Sequence, residues 1–325
     1  MSKYAALAAH FDSAEQTFVA RALEVVEAGT YDILFPPMEG RMFVPMGPAV
    51  DPGAQSVTYR QYRRTGKAAL VTDDGQDLPT AGVSVQEFNR KLYQIGISYY
   101  YTNEELRAAA LAARNGQPVN LDAERGAAAR EAVERTIDLI LAYGTATVNS
   151  LTYGTGPDVG LTGLLNQASA ATYTIPNGSG GSQTWATKTP DEIIADISGI
   201  FNSQVSGTNK LHTPNNIGLP IEQYQFIATR RMGDGSDTTI LNFAKAMLPG
   251  VNFFSWQYLD QAGAGSTDRM VAFNSDPRFV RATIAREFTQ EPPQLTGLRT
   301  HILCTAKLGG VVTPYPLSIT YGDGI

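Results

Sequence analysis

Cysteine, histidine and long apolar runs are what this sequence has least of, and each shortage removes a class of function. Cys304 is the only cysteine. No intramolecular disulfide is possible, a reducing compartment is the default, and the thiol is expected to be a small buried hydrophobe. His10, His212 and His301 are scattered, so neither a zinc framework nor a pair of helical histidine ligands can be written. No run of about 18 apolar residues occurs, so no transmembrane helix is predicted. The opening MSKYAALAAHFDSAEQ is broken by His10 and Asp12 too early for a secretory signal. A soluble product of the cytoplasm is the expectation.

Catalytic and phosphate-binding motifs are scarce too. There is no G-x-S-x-G elbow. Gly66-Lys67 lacks the upstream glycine and following hydroxyl of a phosphate-binding loop, and GTGPDVG places a proline in what would be a dinucleotide turn. GDGSDTT supplies Asp234 and Asp237 but not the remaining ligands of a calcium loop. No catalytic residue, cofactor or metal is therefore assigned. Lys and Arg number 25 against 31 Asp and Glu, a net charge of -6. That excludes a wholly basic nucleic-acid binder, though not a local patch touching phosphate.

What is present is enough apolar content to fold. The 325 residues are 43% hydrophobic and 17% charged, sufficient for one large domain or two to three smaller ones. Ser13 and Gln16 form a capping box that opens a helix ending at Gly29. Five prolines between Pro36 and Pro52 then exclude regular helix. Tyr93, Ile95, Ile97, Tyr99 and Tyr101 alternate as a strand, closed by a second capping box, Thr102 to Glu105. The longest helical pattern runs from an Asn120 cap to about Val148. The Gly/Ser-rich stretch 177–187 is the best linker candidate, and Thr189-Pro190-Asp191-Glu192 is a third capping box. QYQFIAT is expected as a strand, residues 240–247 as a helix, and RMVAFN and LRTHILCTAKLGGVV as strands. Helices and antiparallel strands are segregated rather than alternating, an α+β class.

One stretch resists a core assignment. SVTYRQYRRTGKAALV is expected as two short strands around Thr65-Gly66, with no cleanly apolar face: Val57 and Tyr59 share theirs with Gln61 and Arg63. Arg60, Arg63, Arg64 and Lys67 crowd one part of it, and Asp73, Asp74 and Asp77 follow. Such a hairpin either extends into solvent or finds a partner.

The order of these pieces, with TGKAALVTDDGQDLPTAGVSVQE, IGISYYYTNEEL, DVGLTGLLN and TPDEIIADI, resembles the major capsid proteins of tailed bacteriophages. Their Hong Kong 97-type fold is shared with encapsulin shell proteins. The resemblance implies an N-terminal arm at 1–34 and an E-loop with its proline-rich lead-in at 35–80. It implies a P domain at 81–189 and 286–325, built on a spine helix at about 120–148, and an A domain at 190–285. It also implies self-assembly as pentamers and hexamers into an icosahedral shell around double-stranded DNA, touched non-specifically. Arg60, Arg63, Arg64, Lys67, Asp73, Asp74 and Asp77 would then be intersubunit contacts. A portal, a separate scaffolding protein and a decoration protein would be partners, with assembly in the host cytoplasm, location in the virion and no membrane. Some members cross-link subunits through an E-loop lysine; Lys67 would be that lysine, and no asparagine partner is marked. The alternatives are an encapsulin-type nanocompartment, a soluble α+β enzyme and a tail-tube or other virion protein.

Overall fold

The computed structural model describes residues 36–70, 78–114, 121–145, 160–233, 235 and 237–325. The expected helix at 13–29, the Asn120 cap and the end of the long helix near Val148 lie outside them. Met1–Pro37 and Met38–Ile325 are separate units, and the second holds every element described below.

In chain order, a one-turn helix α1 (Gly40–Phe43) precedes a long ribbon of β1 (Ser56–Thr65) and β2 (Gly82–Lys91). Next come β3 (Tyr93–Thr102), α2 (Asn103–Arg114) and α3 (Leu121–Tyr143). The Thr102–Glu105 box forms as expected: the Glu105 N–H donates to Thr102 Oγ1 at 3.2 Å and the Thr102 N–H to Glu105 Oε2 at 3.0 Å. Ala129, Val133, Ile137, Ile140 and Leu141 bury one face of α3.

After β4 (Ala171–Thr174) comes α4 (Pro190–Gly207), whose Thr189 cap, Pro190 and Glu192 make the complete box that the sequence predicts. Then follow β5 (Asn216–Leu219), α5 (Ile221–Thr229), α6 (Ile240–Met247), β6 (Asn252–Ser255) and β7 (Arg269–Phe273). Strands β8 (Arg281–Gln290), β9 (Gln294–Thr296), β10 (Arg299–Val312) and β11 (Ile319–Asp323) complete the chain.

QYQFIAT is helix α5, not a strand. Its apolar residues include Ile227, fully buried, and a Pro220 N-cap opens a helical turn that the short alternation concealed. The Gly/Ser-rich stretch is no linker either. Trp185 is 1% exposed, its indole N–H donates to Asp196 Oδ2 at 3.0 Å, and Lys188 reaches the same oxygen at 2.6 Å. One aromatic and one lysine outweigh the flexible composition around them.

Besides the ribbon, two sheets organise the described residues. One has the order β3-β10-β8, with β9 on β10; the other has the order β4-β11-β7-β5-β6. The C-terminal part therefore divides: β10 pairs β3 over ten residues, whereas β11 pairs β7 antiparallel and β4 parallel. β10 packs beside α3, whereas β11 packs beside α4. The two largest apolar clusters gather around α3 and α4. Val133, Ile137 and Leu141 of α3 pack with Leu308 and Val311, and Ile193, Ile197 and Ile200 of α4 pack with Ile217 and Met270.

Candidate functional site

The β1/β2 ribbon is paired without a break from Ser56↔Lys91 to Thr65↔Gly82. The expected turn at Thr65-Gly66 is therefore the end of a strand, and the partner of Arg60–Thr65 lies beyond residue 80. β-Branched Val83, Val85 and the alternation through Phe88 favour the longer ladder. Opposed residues share a face. Thr58–Asn89, Arg60–Glu87, Tyr62–Val85 and Arg64–Val83 lie on one side, and Val57–Arg90, Tyr59–Phe88, Gln61–Gln86 and Arg63–Ser84 on the other.

The root of the ribbon is fastened to the body. Tyr59 stacks on Phe88 at 5.2 Å between ring centres, under the Arg281 guanidinium 5.9 Å away. Gln61 donates to the Pro314 carbonyl, Lys307 Nζ donates to the Pro52 carbonyl at 3.0 Å, and the Leu92 N–H donates to the Gln55 carbonyl at 2.9 Å. Beyond Gln61 this support ends. Every residue from Tyr62 to Leu70 is exposed, including Tyr62 at 64%, and across the ribbon Val83 is 65% and Val85 52% exposed. Three large apolar side chains and an arginine thus share one face, exposed on their own subunit.

The basic residues separate into two kinds. Arg60 Nε donates to Glu87 Oε1 at 2.6 Å on the facing strand, and that carboxylate holds the guanidinium's pKa above its ordinary value. Its partner is intramolecular. Among the described residues Arg63, Arg64 and Lys67 have no ion-pair partner and are exposed. Asp73, Asp74 and Asp77 lie outside the described residues.

A second arrangement was not legible in the sequence. Gly40 donates its N–H to Asp138 Oδ1 at 2.5 Å, and Arg41 bridges Glu134 of α3 at 3.1 Å and Glu287 of β8 at 2.8 Å. Phe43 stacks on Phe254 at 4.0 Å. Together these hold the segment at 40–44 onto α3. Burial raises the pKa of Asp138, and burial followed by the Asp138 charge raises that of Glu39. No motif spacing links residues 98 positions apart; only the glycine at position 40 carried a signal.

An open cleft of about 550 Å³ lies between α3 and the four-stranded sheet, lined by Tyr99, Gly126, Arg130, Phe288 and Gln290 among others. Among the described residues its lining holds no carboxylate, histidine or cysteine. Among the described residues no three such side chains gather as a metal would require, and no helix is long and apolar enough to cross a membrane.

Comparison with known proteins fits this geometry. A family model described as "Major capsid protein" matches residues 66–325. The solved capsid of Myoviridae phage XM1 superposes with a TM-score of 0.76 at 20% identity, covering 94% of this chain and 98% of that one. A capsid of a native GTA particle gives 0.62 at 9% identity, covering 96% and 98%. A virus-like particle from Pyrococcus furiosus gives 0.50 at 12% identity, covering 87% and 91%. No curated protein matches the sequence.

Proposed function

This chain belongs to the major capsid protein family, and from that premise we propose that it is the subunit from which a tailed phage builds its closed icosahedral head around double-stranded DNA. Its role is structural, as a component of the virion. The observation that carries the assembly reading is the ribbon. A hairpin that exposes Tyr62, Val83 and Val85 on one face would be a liability in a monomer. Burying each such side chain is worth about 1.5–3 kcal/mol, so a neighbour covering all three gains several kcal/mol per subunit. Repetition around closed rings multiplies that gain.

On this reading the E-loop expected at 35–80 extends to Lys91 to take in β2, the partner of β1, α3 is the spine helix of the P domain, and residues from about 190 form the A domain. Residues 1–34 are the N-terminal arm. The five-stranded sheet would belong to the A domain, with β4 and β11 lent to it from the flanking sequence. The exposed Arg63, Arg64 and Lys67 set docking register, because exposed charges steer and discriminate more than they stabilise. Asp73, Asp74 and Asp77 are assigned the same role from the sequence. Assembly in the host cytoplasm, a portal, a separate scaffolding protein, a decoration protein and loose contact with packaged DNA complete the proposal. The chain has no assigned catalysis. An encapsulin-type shell is the alternative with the same fold, and genomic neighbours separate the two: portal and terminase genes on one side, a cargo enzyme on the other.

Expression of the protein alone, with light scattering of the excluded fraction and electron microscopy, tests this reading. Closed particles or discrete pentamers and hexamers are expected. A folded monomer that never associates would count against it.

A further inference from the structure

The exposed face of the ribbon needs a receiver, and the exposed apolar residues elsewhere offer several. Leu106 and Leu111 stand on α2, where Glu104 pairs with Arg107 at 2.7 Å and Glu105 with Arg125 at 2.9 Å, leaving Arg114 at its end. Leu295 and Leu298 flank Gly297 at the β9–β10 tip, beside Arg299. Phe243 and Met247 of α6 bracket Lys245, and Leu211 follows Lys210. Each of these would bring cations against Arg63, Arg64 and Lys67, and like charges juxtaposed across an interface disfavour docking.

A methionine-rich surface has the opposite sign. Met38, Met42 and Met46 are 43%, 82% and 39% exposed within nine residues of chain around α1. Near them lie the carboxylates of Glu39, Glu134 and Glu287, against the guanidiniums of Arg41 and Arg130. That leaves an excess of negative charge, and the Glu287 side chain is 61% exposed. Methionine is unbranched and polarizable, so a strip of it conforms to a partner whose orientation varies from site to site. A shell whose rings differ in curvature makes that demand. The same segment is pinned to α3 by Gly40 and Arg41, so the receiver is held in place by its own subunit.

We propose that the methionine strip at Met38, Met42 and Met46, with its acidic collar, receives the apolar, cationic ribbon face of a second copy of this chain. Tyr62, Val83 and Val85 cover the methionines, while Arg64 on the same face and Lys67 beyond the end of β1 reach toward Glu39 and Glu287. This rests on the shell reading and adds to it the identity of the receiving surface.

The test uses assembled wild-type particles first. A zero-length carbodiimide should couple Lys67 of one subunit to Glu39 or Glu287 of another, identified by peptide mass spectrometry. A second experiment pairs Tyr62→Cys with Met42→Cys, and in parallel with Leu111→Cys or Leu295→Cys, in particles treated with a short bismaleimide. All four positions are exposed, and Cys304 is buried, so background coupling is low. A ladder of covalent multimers with Met42, absent or at least tenfold weaker with Leu111 and Leu295, is the expected result. Particles that form normally but give a ladder only with Leu111 or Leu295, or give neither ladder nor coupling of Lys67 to those acids, overturn the proposal while leaving the shell reading intact. Absence of any particle from the wild-type protein overturns both.

Discussion

The backbone N–H of Gly40 donates to the Asp138 carboxylate at 2.5 Å, tying the start of the larger unit to the C-terminal part of its longest described helix. A Cβ at position 40 would stand 2.6 Å from Asp138 Oδ1, so any side chain there displaces the contact. Gly40→Ala should destabilise the subunit by about 1–3 kcal/mol through overpacking. Urea unfolding of the unassembled subunit would measure it.

Asp138 is 2% exposed, and burial raises its pKa despite the Gly40 N–H and the Tyr258 hydroxyl beside it. A carboxyl group whose folded pKa is raised contributes its stability in full below the ordinary carboxylate range, and that contribution is lost as pH rises through the folded pKa. Asp138→Asn keeps an acceptor for Gly40 and removes the ionisation. The variant should therefore gain on the wild type as pH rises to neutral, and the two should converge in acid. Unfolding midpoints across that range decide it; a gap that widens on acidification contradicts the assignment.

Lys188 and Asp196 form an ion pair with both side chains 1% exposed. Lys188→Met leaves an uncompensated buried carboxylate and should cost about 3–5 kcal/mol, whereas K188M/D196L together should be close to neutral. A double-mutant cycle by denaturant unfolding would show the coupling. Equal losses in the single and double variants would mean the pair is not the stabilising unit.

Glu192 behaves in the opposite sense to Asp138. Hydrogen bonds from the Thr189 and Ser179 backbone N–H groups lower its pKa from 4.5 to about 2. Its contribution is present above the ordinary carboxylate range and is lost as pH falls from 4.5 through about 2. Glu192→Gln should be the less stable protein at neutral pH, with the difference vanishing over that window. Unfolding midpoints of the two proteins, compared at neutral pH and in acid, check it.

The elements with local grammar were readable from sequence. The Thr102 and Thr189 boxes, the Tyr93–Tyr101 alternation and the α4 stripe each carry their signal within a few residues, and each forms. The failures share a cause. QYQFIAT is too short for its period to separate helix from strand, and Pro220 decided it. The Gly/Ser-rich stretch reads as a linker because composition averages over Trp185 and the adjacent Lys188, the two buried side chains that anchor it. The hairpin turn was placed at Thr65-Gly66 because that dipeptide has turn chemistry, although the partner strand begins only at Gly82. The basic half of the candidate site was visible as charge, but Glu87 as the partner of Arg60 required the register. The methionine strip and its carboxylates had no sequence signature, since their meeting is long-range.

The ribbon beyond Gln61 contributes nothing to its own subunit's core, which separates folding from assembly. Tyr62→Ser with Val85→Ser should leave subunit stability within about 0.5 kcal/mol of the wild type. The same pair should sharply reduce association measured by sedimentation velocity. A large loss of subunit stability would place those side chains in the fold instead of at an interface.

The most direct measurement is electron microscopy of the purified protein at rising concentration, beside the Tyr62→Ser/Val85→Ser variant. Closed particles are predicted for the wild type, and folded, unassembled subunits for the variant. Wild-type protein that stays a folded monomer at every concentration, or a variant that closes shells as well as the wild type, would contradict the assembly reading.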